Sequence, residues 1–158
     1  MLELFEWMQR TSLSTWIREA DSLWAFPGIL TLHTLGLGVL VGAAVVFDLR
    51  VLGIGGRTAL APMRPLFRVM WIGFVLNALT GTMLFAADAP RRGTSWFFFM
   101  KLGFVALGVV TLVFIERNVY APGADPVAPN ATAQRLAVVS LLVWTVAITA
   151  GRLLAYVE

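Results

Sequence analysis

Four stretches of almost unbroken apolar residues organise this chain, at about 26–47, 69–87, 96–115 and 136–157. Each is about 20 residues long, the length of helix that crosses a bilayer core. The polar segments between them carry helix breakers: Gly53, Gly55, Gly56, Pro62 and Pro65, then Pro90 and Gly93, then Pro122, Gly123, Pro126 and Pro129. Connections this short predict a single all-α membrane domain over residues 1–158, a four-transmembrane-helix up-down bundle. In residues 1–25 the pattern changes: Leu2, Leu4, Phe5, Trp7, Met8, Trp16, Ile17, Leu23 and Trp24 are interleaved with charges. That pattern predicts an amphipathic arm, either lying in the membrane interface with Trp16 and Trp24 at headgroup level or packed on the bundle. Glu3, Glu6, Glu19 and Asp21, with no apolar core of about 7–15 residues before Pro27, set the arm apart from a signal peptide.

Composition sharpens this picture mainly by exclusion. Of 158 residues 59% are apolar and 13% charged, against about 25% charged in an ordinary soluble domain. With no cysteine, iron–sulfur clusters, covalent c-type haem, disulfides and thiolate zinc are ruled out. One histidine, His33, leaves no His-rich metal site and no HExxH pair, and no GxSxG elbow is present. The net charge of +3 comes from arginines that border apolar spans, so they read as topology signals and lipid-phosphate contacts, not as a nucleic-acid surface. Arg50, Arg57, Arg64, Arg68, Arg117 and Arg135 lie on the side of the first and third loops, and Arg10, Arg18, Arg91 and Arg92 on the other. The positive-inside rule makes the first side cytoplasmic, so both termini face outward, which is periplasmic if the membrane is a bacterial inner one.

Helical rise then places the few polar residues within the spans. His33 precedes Asp48 by 15 residues and Lys101 precedes Glu116 by 15, so both stand about 22 Å from the cytoplasmic ends of their helices. Thr80, 12 residues past Arg68, and Arg152, 17 past Arg135, come out at about 18 and 25 Å. Four polar residues on four helices therefore share one layer in the outer half of the bundle. Thr145, Thr149, Arg152 and Tyr156 form a polar stripe on the last helix, while Gly73, Asn77, Thr80, Gly81 and Leu84 form a face suited to close approach on the second. Gly36, Gly38 and Gly42 thin the first helix beside His33. Plainer roles exist for each: snorkelling for Lys101 and Arg152, a helix–helix hydrogen bond for His33, interhelical glue for Asn77. Asp48 with Arg50, and Glu116 with Arg117, read as helix-end anchors.

Intramembrane ionisable groups are costly and usually face an interior or a cavity. Lys101, Arg152 and His33 make a cationic layer with no acid at its level, suited to a carboxylate, a haem propionate or a reduced quinone. His33 is then the metal ligand, and Thr80, Asn77 and Tyr156 complete the binding site. A second axial ligand would come from Met83, Met100, neutral Lys101, water or His33 of a second subunit.

The strings Phe26-Pro27, Leu32-His33-Thr34-Leu35-Gly36-Leu37 and Asp48-Leu49-Arg50-Val51-Leu52-Gly53 resemble a family of small bacterial inner-membrane proteins of unassigned activity. Thr80-Gly81, Leu84-Phe85, Lys101, Leu142 with Trp144, and Gly151-Arg152-Leu153-Leu154-Ala155-Tyr156 carry that resemblance along nearly the whole chain. More distantly, His33 and Trp96…Lys101 are similar to the corresponding positions of HemJ-type protoporphyrinogen oxidases and of the CopD copper-resistance membrane domain. The HemJ likeness implies haem b and functional roles for His33 and Lys101. The copper likeness would rest on one His and scattered Met residues as ligands. Two readings follow: a haem b or anionic-ligand membrane protein linked to quinone or porphyrin redox chemistry, or a non-catalytic accessory subunit or small transporter-like oligomer whose polar layer fixes packing or holds an anionic lipid.

Overall fold

In the computed structural model, residues 2–56, 59–124, 127 and 129–157 are described, those from 154 to 157 by their backbone alone. The elements are α1 (Leu2–Gln9), α2 (Ser12–Glu19), α3 (Phe26–Val51), α4 (Pro65–Ala87), α5 (Ala89–Arg92), α6 (Trp96–Val119) and α7 (Ala131–Val157). A single 3-10 turn at Ala61–Met63 precedes α4, and no strand occurs among the described residues. Four helical segments of 26, 27, 24 and 23 residues are long and apolar enough to cross a membrane. At 1.5 Å per residue they extend about 34–40 Å, more than the roughly 30 Å of a hydrocarbon core.

All four long helices reach about a turn further at the loop end than the apolar runs indicate, and local chemistry accounts for it in three of them. Pro65 occupies the first turn of α4, where its missing N–H costs nothing. The Asn130 side chain caps α7 by accepting from the Ala133 amide at 2.8 Å. At the end of α3 the Ile54 amide donates to Leu49 O at 2.9 Å and the Gly53 amide to Arg50 O at 3.0 Å. This Schellman closure needs a left-handed residue, and Gly53 supplies it with φ +82°. α3 consequently continues through Asp48 and Arg50, and Asp48 is buried inside the bundle. The expected helix-end anchor is a core residue.

Two helix pairs carry the packing, α3 on α4 and α6 on α7, and α3 joins them by packing on α7, whereas α4 and α6 keep their backbones apart and meet through side chains such as the stacked Phe85 and Phe98. The α3/α4 contact is backbone on backbone. A Cβ placed on Gly36 would lie 2.9 Å from the Asn77 amide nitrogen, and one on Gly73 would lie 2.7 Å from that of Leu40. In α6/α7 the Trp144 indole lies across Gly108, where a Cβ would meet the ring at 2.8 Å. Pairings run His33 with Asn77, Gly36 with Gly73 and Phe47 with Phe67, so α3 and α4 are antiparallel. Below these contacts Leu40, Ala44, Phe47, Met70, Ile115 and Trp144 form the main core.

The arm is two short helices, not one. α2 is capped by Thr11, which accepts from the Ser14 amide, and the buried Ser14 hydroxyl donates to Met8 O at 2.7 Å, tying α2 back to α1. Ile17 packs with Ile29 and Ala87, and the Phe5 ring sits over Gly93. One face of the arm thus packs on the bundle end, while Trp7, Trp16 and Trp24 stay exposed.

Replacing Gly73 by Ala should separate α3 from α4 and destabilise the bundle by roughly 1–3 kcal/mol, because the obstruction is backbone that cannot rotate away. Gly42→Ala, where a Cβ meets nothing within 4 Å, should be neutral or stabilise by about 0.5–1 kcal/mol through helix propensity. Thermal unfolding of both variants in one detergent tests the pair; equal stability would contradict the close contact.

Candidate functional site

The α3/α4 contact is also what positions His33. Two turns into α3, its Nδ1 lies 3.0 Å from Asn77 O and 3.1 Å from Thr80 Oγ1. A carbonyl oxygen only accepts, so Nδ1 carries the hydrogen and donates it to Asn77 O. The Thr80 hydroxyl is occupied with its own helix, donating to Leu76 O at 2.7 Å, and so turns a lone pair toward the ring. In return the Asn77 side-chain amide donates to His33 O at 2.8 Å. Gly81 completes the seat, since a Cβ there would come within 3.0 Å of His33 Cε1. Thr80 is buried, and His33 and Asn77 are half-buried.

This arrangement fixes the neutral tautomer. With Nδ1 as donor, the Nε2 lone pair is uncommitted: it has no hydrogen-bond partner among the described residues. Metal-binding histidines show the same polarity, one ring nitrogen held by a carbonyl and the other left for the metal. Among the described residues no group of three or more His, Asp and Glu side chains is placed to hold a metal ion, so His33 could contribute one ligand to an iron bound chiefly by a macrocycle.

Lys101 approaches from the other pair. Its chain crosses onto α7 at Gly151, where a Cβ would lie 3.3 Å from Cε and 3.8 Å from Nζ. Its charge acts on the His33 ring, and Arg92, ion-paired with Asp88 at 3.2 Å, in turn acts on Lys101. Arg152 follows Gly151 directly, but its side chain is exposed. Thr145 and Thr149 of the same stripe are exposed as well, their hydroxyls bonded to Leu141 O and Thr145 O of their own helix. The Tyr156 side chain lies outside the described residues. Met83 packs against the Ile17, Ile29 and Ala87 cluster beneath the arm, and Met100 is half-buried on α6.

The fold therefore joins His33, Asn77 and Thr80 by direct contact, brings Lys101 within electrostatic range of them, and leaves Arg152 on the outer surface. Two features escape the sequence reading. Arg92 reinforces the positive charge near Lys101, which a count of loop arginines treats as topology alone. A second group of polar side chains, Asp48, Ser140 and Trp144, is buried toward the opposite end of the bundle; the i, i+4 spacing of Ser140 and Trp144 was the available signal. No family model, curated protein or solved structure matches this chain.

Proposed function

We propose that this protein is a four-pass, up-down bundle of the bacterial inner membrane that binds haem b, or a comparable anionic ligand, in the half of the bundle holding His33. The observation that carries the reading is the His33 ring: Nδ1–H is held by Asn77 O, which leaves Nε2 as the only uncommitted imidazole nitrogen in a chain with one histidine. The Lys101 ammonium supplies positive charge beside it, and Arg152, at the same end of α7, is the next cation an anionic group leaving the bundle would meet. Bound haem would supply one-electron chemistry, with quinone or a porphyrin as the partner class in the membrane. Thr80 and Asn77 set the ring's tautomer and aim, and Tyr156 belongs to the same end of α7. The likeness of His33 and Trp96…Lys101 to HemJ-type oxidases points the same way. A further ligand to the iron would come from Met83, Met100, neutral Lys101, water or His33 of a second copy.

One observation favours a second reading. His33 and Asn77 exchange two hydrogen bonds, Nδ1 to Asn77 O and Asn77 Nδ2 to His33 O, so the pair forms a complete interhelical clamp with no ligand. In that case the protein is an accessory subunit or small transporter-like oligomer, and the layer serves packing or holds an anionic lipid.

Haem titration of the purified protein separates the two. The haem reading expects a Soret band that His33→Ala abolishes or shifts, and an Arg152→Ala variant that releases haem faster with unchanged ligation spectra. A protein that takes up no haem, with His33→Ala only lowering the unfolding temperature, assigns the layer to packing.

Orientation is tested separately. Single cysteines at Ala59 and Ala121 should resist an impermeant thiol reagent in intact cells, and one at Thr94 should react. The reverse pattern would place the termini in the cytoplasm.

A further inference from the structure

Away from His33, the second buried polar group has no explanation in either reading. Asp48 is completely buried, yet neither carboxyl oxygen has a hydrogen-bond partner. Ser140, also at 0% exposure, and the Nε1 of Trp144, at 1%, are equally unpartnered. These are all the buried side-chain polar atoms without a partner among the described residues. The Ser140 hydroxyl faces the Asp48 carboxyl without closing a hydrogen bond to it, and Trp144 stands one turn further along the same face of α7. Buried polar atoms in native proteins are nearly always paired, so the facing Asp48 carboxyl and Ser140 hydroxyl ask for a missing participant.

The participant must neutralise charge. An ionised carboxylate without a cation or hydrogen-bond donors is among the costliest things a protein interior can hold. The charged side chains on the surrounding elements are turned elsewhere. Arg50 of α3 donates to Gly56 O in the loop, Arg64 at the start of α4 stacks on the Tyr120 ring at 5.4 Å, and Arg68, Arg117 and Arg135 are exposed. Glu116 of α6 lines the crevice between α4 and α6. Among the described residues none of them is hydrogen-bonded to Asp48, which Ser140 faces. A bare metal cation fits poorly, because hard cations take about six or more oxygens, and the site offers two carboxyl oxygens and one hydroxyl. Thr111 is no candidate, since its hydroxyl bonds to Leu107 O of its own helix. A proton on Asp48 removes the charge and needs no further ligand.

A route to water lies next to this group. Phe47, the residue before Asp48, packs edge-on against Phe67 at 4.8 Å, and both contact the Tyr120 ring, at 6.2 and 6.1 Å. Tyr120 is latched by its hydroxyl, which donates to Leu60 O at 2.9 Å. Burial pushes that phenol up to about 12, against the pull of Arg64, so it remains a donor at neutral pH. Beyond the latch an open crevice of about 230 Å³ is lined by Leu60, Ala61, Arg64 and Tyr120.

We propose that Asp48 and Ser140 form a buried proton-binding site, which exchanges its proton with water in that crevice when the Phe47–Phe67–Tyr120 cluster parts. On release the acid O–H bond breaks, its electron pair stays on the carboxylate and the proton leaves on a water molecule. Ser140 O–H then turns to the carboxylate as its donor. The site is independent of the His33 layer and stands whether or not haem binds there.

Infrared spectroscopy of the purified chain tests this by the carboxylic-acid C=O band in H2O and D2O. A protonated-acid band at neutral pH should shift on deuteration, bleach on alkalinisation and be absent in Asp48→Asn, a variant of the same shape and no charge. Should that variant fail to fold, Ser140→Ala keeps the acid and should move the band, since its neighbouring hydroxyl is gone. Tyr120→Phe, lacking only the latch, should speed deuteration roughly tenfold, the factor for one lost hydrogen bond. No acid band in the wild-type chain, a band indifferent to both Asp48→Asn and Ser140→Ala, or one removed by sodium at constant pH would overturn the proposal. Unchanged deuteration in Tyr120→Phe would overturn the route.

Discussion

Everything in the half of this bundle that holds His33 depends on how near two backbones can come. Gly36 and Gly73 let α3 and α4 touch main chain to main chain, and only at that distance does the short Asn77 amide reach the carbonyl of His33 while the imidazole reaches back to the carbonyl of Asn77. Within lipid, helix association gains nothing from burying more hydrocarbon, so close packing and interhelical hydrogen bonds carry it. Here both arise from one strip of small residues on α4. Gly81 extends that strip by leaving room for the imidazole ring.

The second pair, α6 with α7, is built on a different principle. Its glycines accommodate side chains instead of a neighbouring backbone: Gly108 lies under the Trp144 indole and Gly151 under the Lys101 chain. The two pairs meet along α3 and α7, which is where the Asp48 and Ser140 side chains are enclosed. Between α4 and α6 the backbones stay apart and side chains fill the gap, Phe85 stacking on Phe98 at 5.2 Å. Leu40, Phe74 and Val109 line that gap and leave only about 10 Å³ free.

Much of this was legible in the sequence, and what was not failed for identifiable reasons. Four spans, the Gly73/Asn77/Thr80/Gly81 face and the shared level of His33 with Thr80 followed from helical period and rise, quantities that lipid does not alter. Rotation about the helix axis is less constrained by composition, since these helices are apolar all round. Arg152 shares the predicted depth, yet its side chain is exposed along with Thr145 and Thr149. Asp48 was misread because hydropathy ends a span at the first charge, whereas the Schellman closure at Gly53 carries the helix one turn further. The amphipathic arm followed from its interleaved charges, whereas its division into α1 and α2 is set by hydroxyl bonds at Thr11 and Ser14.

Trp144 has one more consequence. Of the six tryptophans, Trp7, Trp16, Trp24, Trp71 and Trp96 are 43–81% exposed, and Trp144 is at 1%. The intrinsic fluorescence of the chain is thus the sum of five indoles that a brominated lipid or an aqueous quencher can reach and one that neither can. Emission surviving such quenching belongs to Trp144. It reports on the polarity at the α6/α7 contact from within, with no label attached.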